Sequence, residues 1–179
     1  MAKRKINILM ILPPLLFLGL AALFFVGMWR DDPDGLPSTR VGQAAPALTV
    51  TQLGEGAPFD NAALNAPGVK LVNFWASWCA PCRAEHASLE TMQNEGVVIY
   101  GINYKDEPAN ALGFLEELGN PYAAIAADGE GRTALEWGVY GVPETYVIDG
   151  NGKIVLRFAG PITQQILNNR IRPAIESAR

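Results

Sequence analysis

Phe74-Trp75-Ala76-Ser77-Trp78-Cys79-Ala80-Pro81-Cys82-Arg83-Ala84-Glu85 is the stretch that decides how the whole chain is read. Residues 70–76, Lys-Leu-Val-Asn-Phe-Trp-Ala, form a nearly continuous apolar run of strand length, as expected for a strand covered on both faces. From Cys79 to about Asn94 the pattern is helical, with Ala84, Ala87, Leu89 and Met92 expected as apolar contacts and Gly96 as punctuation. The two cysteines therefore fall where a buried strand hands over to a helix. Cys79 takes the helix N-terminus, where free N–H groups and the helix dipole favour a thiolate. Cys82 lies one turn in, facing the same way and more deeply placed. The first sulfur attacks or is attacked, and the second resolves the mixed disulfide. By itself C-x-x-C also serves zinc, so this spacing leaves both redox and metal chemistry open.

Working outward, the chain alternates strands and helices. Residues 47–53 suggest a peripheral first strand, and residues 59–64 a short helical turn capped by Asp60 or Asn61. Residues 97–103, Val-Val-Ile-Tyr-Gly-Ile-Asn, read as a second central strand. A helix from Pro108 through Leu118 follows, with Leu112, Leu115 and Leu118 at helical spacing and Gly119 as its stop. After a loop come a short helix near Thr133–Trp137 and two strands, residues 144–148 and 153–159. They are joined by Asp149-Gly150-Asn151-Gly152, a strong hairpin signal. A last amphipathic helix, Ile162 to about Ala178, packs through Ile166, Ile171 and Ile175 and is distorted by Pro173. Helices between the first strands imply parallel crossovers, and the hairpin adds antiparallel strands. The expected class is α/β with a mixed central sheet flanked by helices.

The first residues are of another kind. After Lys3, Arg4 and Lys5, the 23 residues from Ile6 to Met28 are apolar apart from Asn7 and two glycines. As a helix they would span roughly 34 Å, enough to cross a bilayer, within which Pro13 and Pro14 are tolerated. The run exceeds a signal-peptide core and no A-x-A pattern follows it, so an uncleaved single-pass anchor over residues 1–29 is expected. Cations precede the span and Asp31, Asp32 and Asp34 follow it, which leaves the N-terminus in the cytoplasm and exports the remainder. Residues 30–46, rich in Pro, Gly and charge, read as a linker, and residues 47–179 as one domain. Setting aside the three N-terminal cations, 11 basic residues face 18 acidic ones, a balance that gives no footprint for nucleic acid.

An exported domain meets an oxidising compartment, where small proteins often carry several structural disulfides. This chain has only two cysteines. Closing so short a loop would remove only about 2 kcal/mol of unfolded-state entropy, against ~4.7 for a 100-residue loop. A staple for stability would sit elsewhere; the pair is chemical.

With both regions in view, a family resemblance can be stated. The stretch from Phe74 to Glu85 resembles the active-site segment of thioredoxin-fold proteins. Gly141-Val142-Pro143-Glu144-Thr145-Tyr146-Val147-Ile148-Asp149 resembles their cis-proline segment. More narrowly, Arg83-Ala84-Glu85-His86, Gly138-Val139-Tyr140-Gly141, Pro143-Glu144-Thr145 and the N-terminal apolar run are similar to the cytochrome c maturation thiol:disulfide interchange family, the CcmG/DsbE type. The likeness covers nearly everything from Gly35 onward. It implies a thioredoxin-like fold and a redox-active Cys79–Cys82 disulfide in place of any bound cofactor. It implies a cis Pro143 whose loop faces Cys79, and a peptide-binding surface that includes Trp78, Pro81, Val142 and Pro143. Glu85 and Glu144 would bring carboxylates to the dithiol, opposing thiolate formation and offering Cys82 a proton acceptor. Thioredoxin has a buried Asp six residues before its first cysteine; here Asn73 stands there and cannot be a base. The implied setting is the periplasmic face of a bacterial inner membrane. The implied partners are apocytochrome c, or a dithiol protein of the maturation machinery, and a membrane reductant of the DsbD or CcdA type.

Two other functions fit parts of the pattern. One is a general anchored thioredoxin-like reductase. The other is a metal chaperone, for which Cys79, Cys82 and His86, the only histidine, would give three ligands where structural zinc wants four. A peroxidase would need a Thr three residues before its cysteine, and position 76 is Ala.

Overall fold

The structure is a computed structural model that describes residues 8–28, 38–55 and 59–179. It divides into two units, Met1–Leu36 and Pro37–Arg179. The first contains helix α1 (Ile8–Gly27), with Pro13 and Pro14 inside it and apolar side chains such as Leu16, Phe17, Leu23 and Phe24 exposed. Within the residues whose side chains are described, no helix is long and apolar enough to cross a membrane. The flanking charges on which the expected orientation rests, at residues 3–5 and 31–34, lie outside the described residues.

The second unit is built on one six-stranded sheet. In chain order its elements are β1 (Thr51–Gln52), α2 (Asn61–Leu64), β2 (Lys70–Trp75), α3 (Ala80–Asn94), β3 (Val98–Tyr104) and α4 (Pro108–Leu118). They continue with β4 (Ala124–Asp128), α5 (Arg132–Trp137), β5 (Glu144–Ile148), β6 (Ile154–Ala159), α6 (Gln164–Ile166) and, beyond a π-helical turn at Leu167–Ile171, α7 (Arg172–Ser177). The strand order is β1-β4-β3-β2-β5-β6. β2, β3 and β4 run parallel, while β1, β5 and β6 are antiparallel to their neighbours. The α/β, mixed-sheet expectation holds.

Sheet position explains the apolar run before the cysteines. β2 lies at the centre with every residue buried. Successive crossovers step the same way, β2 to β3 to β4, so right-handed connections put α3 and α4 on one face. There Leu89, Met92, Phe114 and Leu115 pack with Leu71, Trp75 and the C-terminal Leu167, Ile171 and Ile175. On the other face Leu64, Ala134 and Trp137 pack on Val72, Phe74, Ile102, Tyr146 and Ile148. The buried face of α3 is Cys82, Glu85, His86, Ser88, Leu89 and Met92, so Ala84 and Ala87, expected inside, point to solvent. The π-helical turn precedes Pro173, whose ring nitrogen cannot donate to the preceding turn, and the helix widens there rather than stopping.

Three further expectations change. β4 was not anticipated: Ala123-Ala124-Ile125-Ala126-Ala127 has little β-propensity, and its place between β1 and β3 makes it a strand. The first strand shrinks to Thr51–Gln52. The linker ends early, because residues 42–45 are laid against the hairpin: Gly42 N donates to Ile154 O, Ile154 N to Gln43 O and Ala45 N to Gly152 O. The backbone groups of that hairpin edge want partners, and a Gly-Gln-Ala-Ala segment supplies them without steric cost.

Candidate active site

The site forms where β2 ends. Ser77 is held by Asp106, which accepts from Ser77 N at 2.6 Å and Ser77 Oγ at 2.8 Å and also from Asn103 Nδ2 at 3.0 Å. Trp78 is 59% exposed, with its indole N–H donating to Lys105 O. Cys79 is the N-cap of α3; its sulfur accepts from Cys82 N at 3.1 Å, and Pro81 sits in the first turn where no N–H is needed. Cys79 and Cys82 are joined as a disulfide. Both are buried, Cys82 slightly more than Cys79, beneath exposed Trp78, Ala80 and Pro81. The Val142–Pro143 peptide bond is cis. Val142 is half-buried and packs against the cluster that contains both cysteines.

Glu85 follows Cys82 by three residues and so shares its side of the helix. It is 1% exposed and lies against the sheet. Asn73 Nδ2 donates to Glu85 Oε1 and the Ile162 N–H to Oε2, each at 2.9 Å. Burial raises its pKa to about 7, and these two hydrogen bonds limit the rise. A carboxyl in this state gains and loses a proton near neutrality.

Glu144 is not its twin. In the register, Asn73 pairs with Thr145 and Phe74 with Glu144. Strand alternation then puts Thr145 on the α3 face and Glu144 on the other. The Glu144 carboxylate accepts from Tyr146 Oη and Arg157 Nε, its partners across one face of the hairpin. Arg157 also donates to Gly138 O and stacks on the Tyr140 ring, 4.7 Å from its centroid. The expectation that both acids flank the dithiol is therefore corrected for Glu144. Its side chain is turned to the opposite face, and its charge is met by a guanidinium. The alternation of Glu144-Thr145-Tyr146 carried that signal; Arg157 and Tyr122 were missed because only the fold brings them close. His86 faces the Gly119 carbonyl at 3.1 Å, and burial lowers its pKa.

This geometry has relatives. Residues 40–171 match the Redoxin family model. The chain belongs to the redoxin family. It is 46% identical over 167 residues to the thiol:disulfide interchange protein HelX of Rhodobacter capsulatus, covering 93% of this chain and 95% of that one. It is 39% identical over 179 residues to thiol:disulfide interchange protein DsbE of Escherichia coli, covering 97% and 95%. A crystal structure from Chlorobium tepidum, assigned as a thiol:disulfide interchange protein DsbE, superposes with a TM-score of 0.67 at 28% identity, over 77% of this chain and 99% of that one. This redoxin is of the DsbE type, a thiol:disulfide oxidoreductase on a thioredoxin-like fold.

Proposed function

We propose that the chain is a membrane-anchored periplasmic reductant in cytochrome c biogenesis. It reduces the disulfide of apocytochrome c, or of a dithiol protein that serves it, before haem attachment. In the reduced form the Cys79 thiolate attacks the client disulfide, expelling one client sulfur, which takes up a proton. The Cys82 thiol then loses its proton to Glu85 and its sulfur attacks Cys79, releasing the second client sulfur. The client gains two electrons and two protons, and Cys79–Cys82 becomes the disulfide. A membrane dithiol of the DsbD or CcdA type returns the pair to its reduced form. No bound cofactor takes part. Trp78, Pro81 and half-buried Val142 form the surface on which the client peptide lies, and the cis Pro143, itself buried, shapes the loop at its edge.

The observation that carries this reading is a buried carboxyl with no cation beside it among the described residues, one helical turn from the resolving cysteine. When ionised it opposes a thiolate nearby, against the pull of the helix N-terminus, and a reduced form held less firmly makes a stronger reductant. The apolar N-terminal helix and its flanking charges support the anchor and the periplasmic orientation. The names of the relatives support the interchange chemistry. The test is the reduction potential of the Cys79–Cys82 couple. A value near that of thioredoxin, about −270 mV, is expected, whereas one near that of DsbA, about −120 mV, overturns the assignment. Glu85→Gln should lower the Cys79 pKa in a thiolate-absorbance titration.

A further inference from the structure

Glu85 is reached through a chain of neutral groups that none of the redox chemistry above uses. Asn73, fully buried on β2, has its amide committed on every side: Nδ2 donates to Glu85 Oε1 and to Thr145 Oγ1 at 3.0 Å, and Oδ1 accepts from Tyr122 Oη at 2.8 Å. Tyr122 comes from the segment between α4 and β4 and is 7% exposed. Its ring stacks on Trp75, with centroids 5.6 Å apart, and lies flat over β3 at Gly101. Gly101 is the register partner of Asn73, and a Cβ there would stand 2.8 Å from the tyrosine ring. The missing side chain at 101 is the opening through which the phenol reaches the asparagine.

We propose that Tyr122, seated over Gly101, is a positioning residue for the thiol–disulfide reaction: it fixes the Asn73 amide so that its N–H, and not its carbonyl, faces Glu85. The chemistry is specific. A carboxylate needs donors, and an amide offers either a donor or an acceptor depending on how it is turned. Thr145 can donate or accept and so does not decide the matter. The phenol stays protonated, its pKa pushed well up by burial and by the Glu85 charge, and Asn73 Oδ1 is the acceptor that its buried O–H meets. With Oδ1 held by that donor, Nδ2 is left for Glu85, and the ionised carboxylate keeps one of its two protein hydrogen bonds. Without the phenol, the amide is free to turn its oxygen toward Glu85, which suits only the protonated acid.

Among the described residues, the other titratable groups around Glu85 are few. Cys79 and Cys82 are on its own helix; His86 is turned to the Gly119 carbonyl and Arg83 to Glu117. β2 and β5 present Asn73 and Thr145, both neutral, and the segment before α6 presents a backbone N–H.

The inference rests on Glu85 as proton acceptor, and the two are separable. In the full chain, labelled with 13C at glutamate carboxyls and held in detergent micelles, the Glu85 resonance is assigned by its loss in Glu85→Gln. Tyr122→Phe, which keeps the ring, should move the Glu85 titration upward by about half a pH unit, the scale of one weakened hydrogen bond. Gly101→Ala, which displaces the ring, should move it the same way. If both variants remain folded by circular dichroism and neither moves the resonance, the positioning role is overturned. The rate of disulfide exchange is then followed against pH. Its inflection should move with the resonance in Tyr122→Phe, and Tyr122→Phe in the Glu85→Gln background should leave the profile of Glu85→Gln unchanged. A resonance that moves while the wild-type exchange rate shows no inflection would support the positioning role and sink Glu85 as acceptor.

Discussion

Glu85 and Glu144 are both carboxylates shut away from solvent, on opposite faces of one sheet, 1% and 0% exposed. Glu144 was given a cation. Arg157 meets it across the hairpin, and burial and the Glu144 charge together push the Tyr146 phenol far up. Burial works against the Arg157 charge, and its hydrogen bond to Glu144, the Glu144 charge and Tyr146 together more than offset that, so its pKa is raised. Glu85 was given an amide and a backbone N–H, which ease a charge without cancelling it. One face thus holds a fixed ion pair and the other a group that changes its protonation near neutrality. What separates them is the kind of partner, not the degree of burial.

That contrast can be broken by taking away the cation. Arg157→Met should leave Glu144 buried and uncompensated and cost about 3 kcal/mol of stability in chemical denaturation, with much of the loss restored by adding Glu144→Leu. An undiminished stability would mean that the two acids are alike after all. The next effect is on pH. Unfolded, Glu85 ionises near 4.5; folded, it does so near 7. Below the first value the carboxyl is neutral in both states. As pH rises between the two values only the unfolded chain gains from ionisation, so wild type loses stability relative to Glu85→Gln. The difference should reach about 3 kcal/mol at most and stay flat above pH 7. Paired unfolding curves at pH 4 and pH 8 measure it, and a difference that does not vary with pH would show that Glu85 titrates normally.

Kinetics sharpen the same distinction. Glu85→Gln should remove the inflection near pH 7 from the rate of client release and slow it by about a hundredfold, the ordinary scale of general-base help. Glu144→Gln should keep the inflection, and its loss in stopped-flow mixing would return Glu144 to the dithiol. The smallest effect belongs to Thr145→Val, which removes one acceptor from Asn73 and should cost about 1 kcal/mol, read as a lowered melting temperature.

Much of this was legible in the sequence, and the legible part was local. The apolar run into Cys79, the helix after it, the Asp149–Gly152 turn and Pro143 follow from spacing, turn chemistry and short motifs. Glu85 was reached through the family resemblance, together with its place three residues after Cys82. What escaped depends on register. β4 is alanine-rich and becomes a strand because neighbours flank it. Glu144 looked like a second site acid until its one-residue offset from Thr145 turned it to the other face. Asn73, Gly101 and Tyr122 are spread over 50 positions of sequence, and only the pairing of β2 with β3 puts them in one line.

The strip at residues 42–45 has a mechanical consequence. It is sewn to Gly152 and Ile154, at the hairpin's turn, and β5 runs from that turn back toward Glu144 beside the C-terminal end of β2. The chain therefore enters the domain at one pole of the sheet while the sulfurs sit at the other. A pull on the chain just upstream of residue 42 would be taken up at the blind pole, away from the sulfurs.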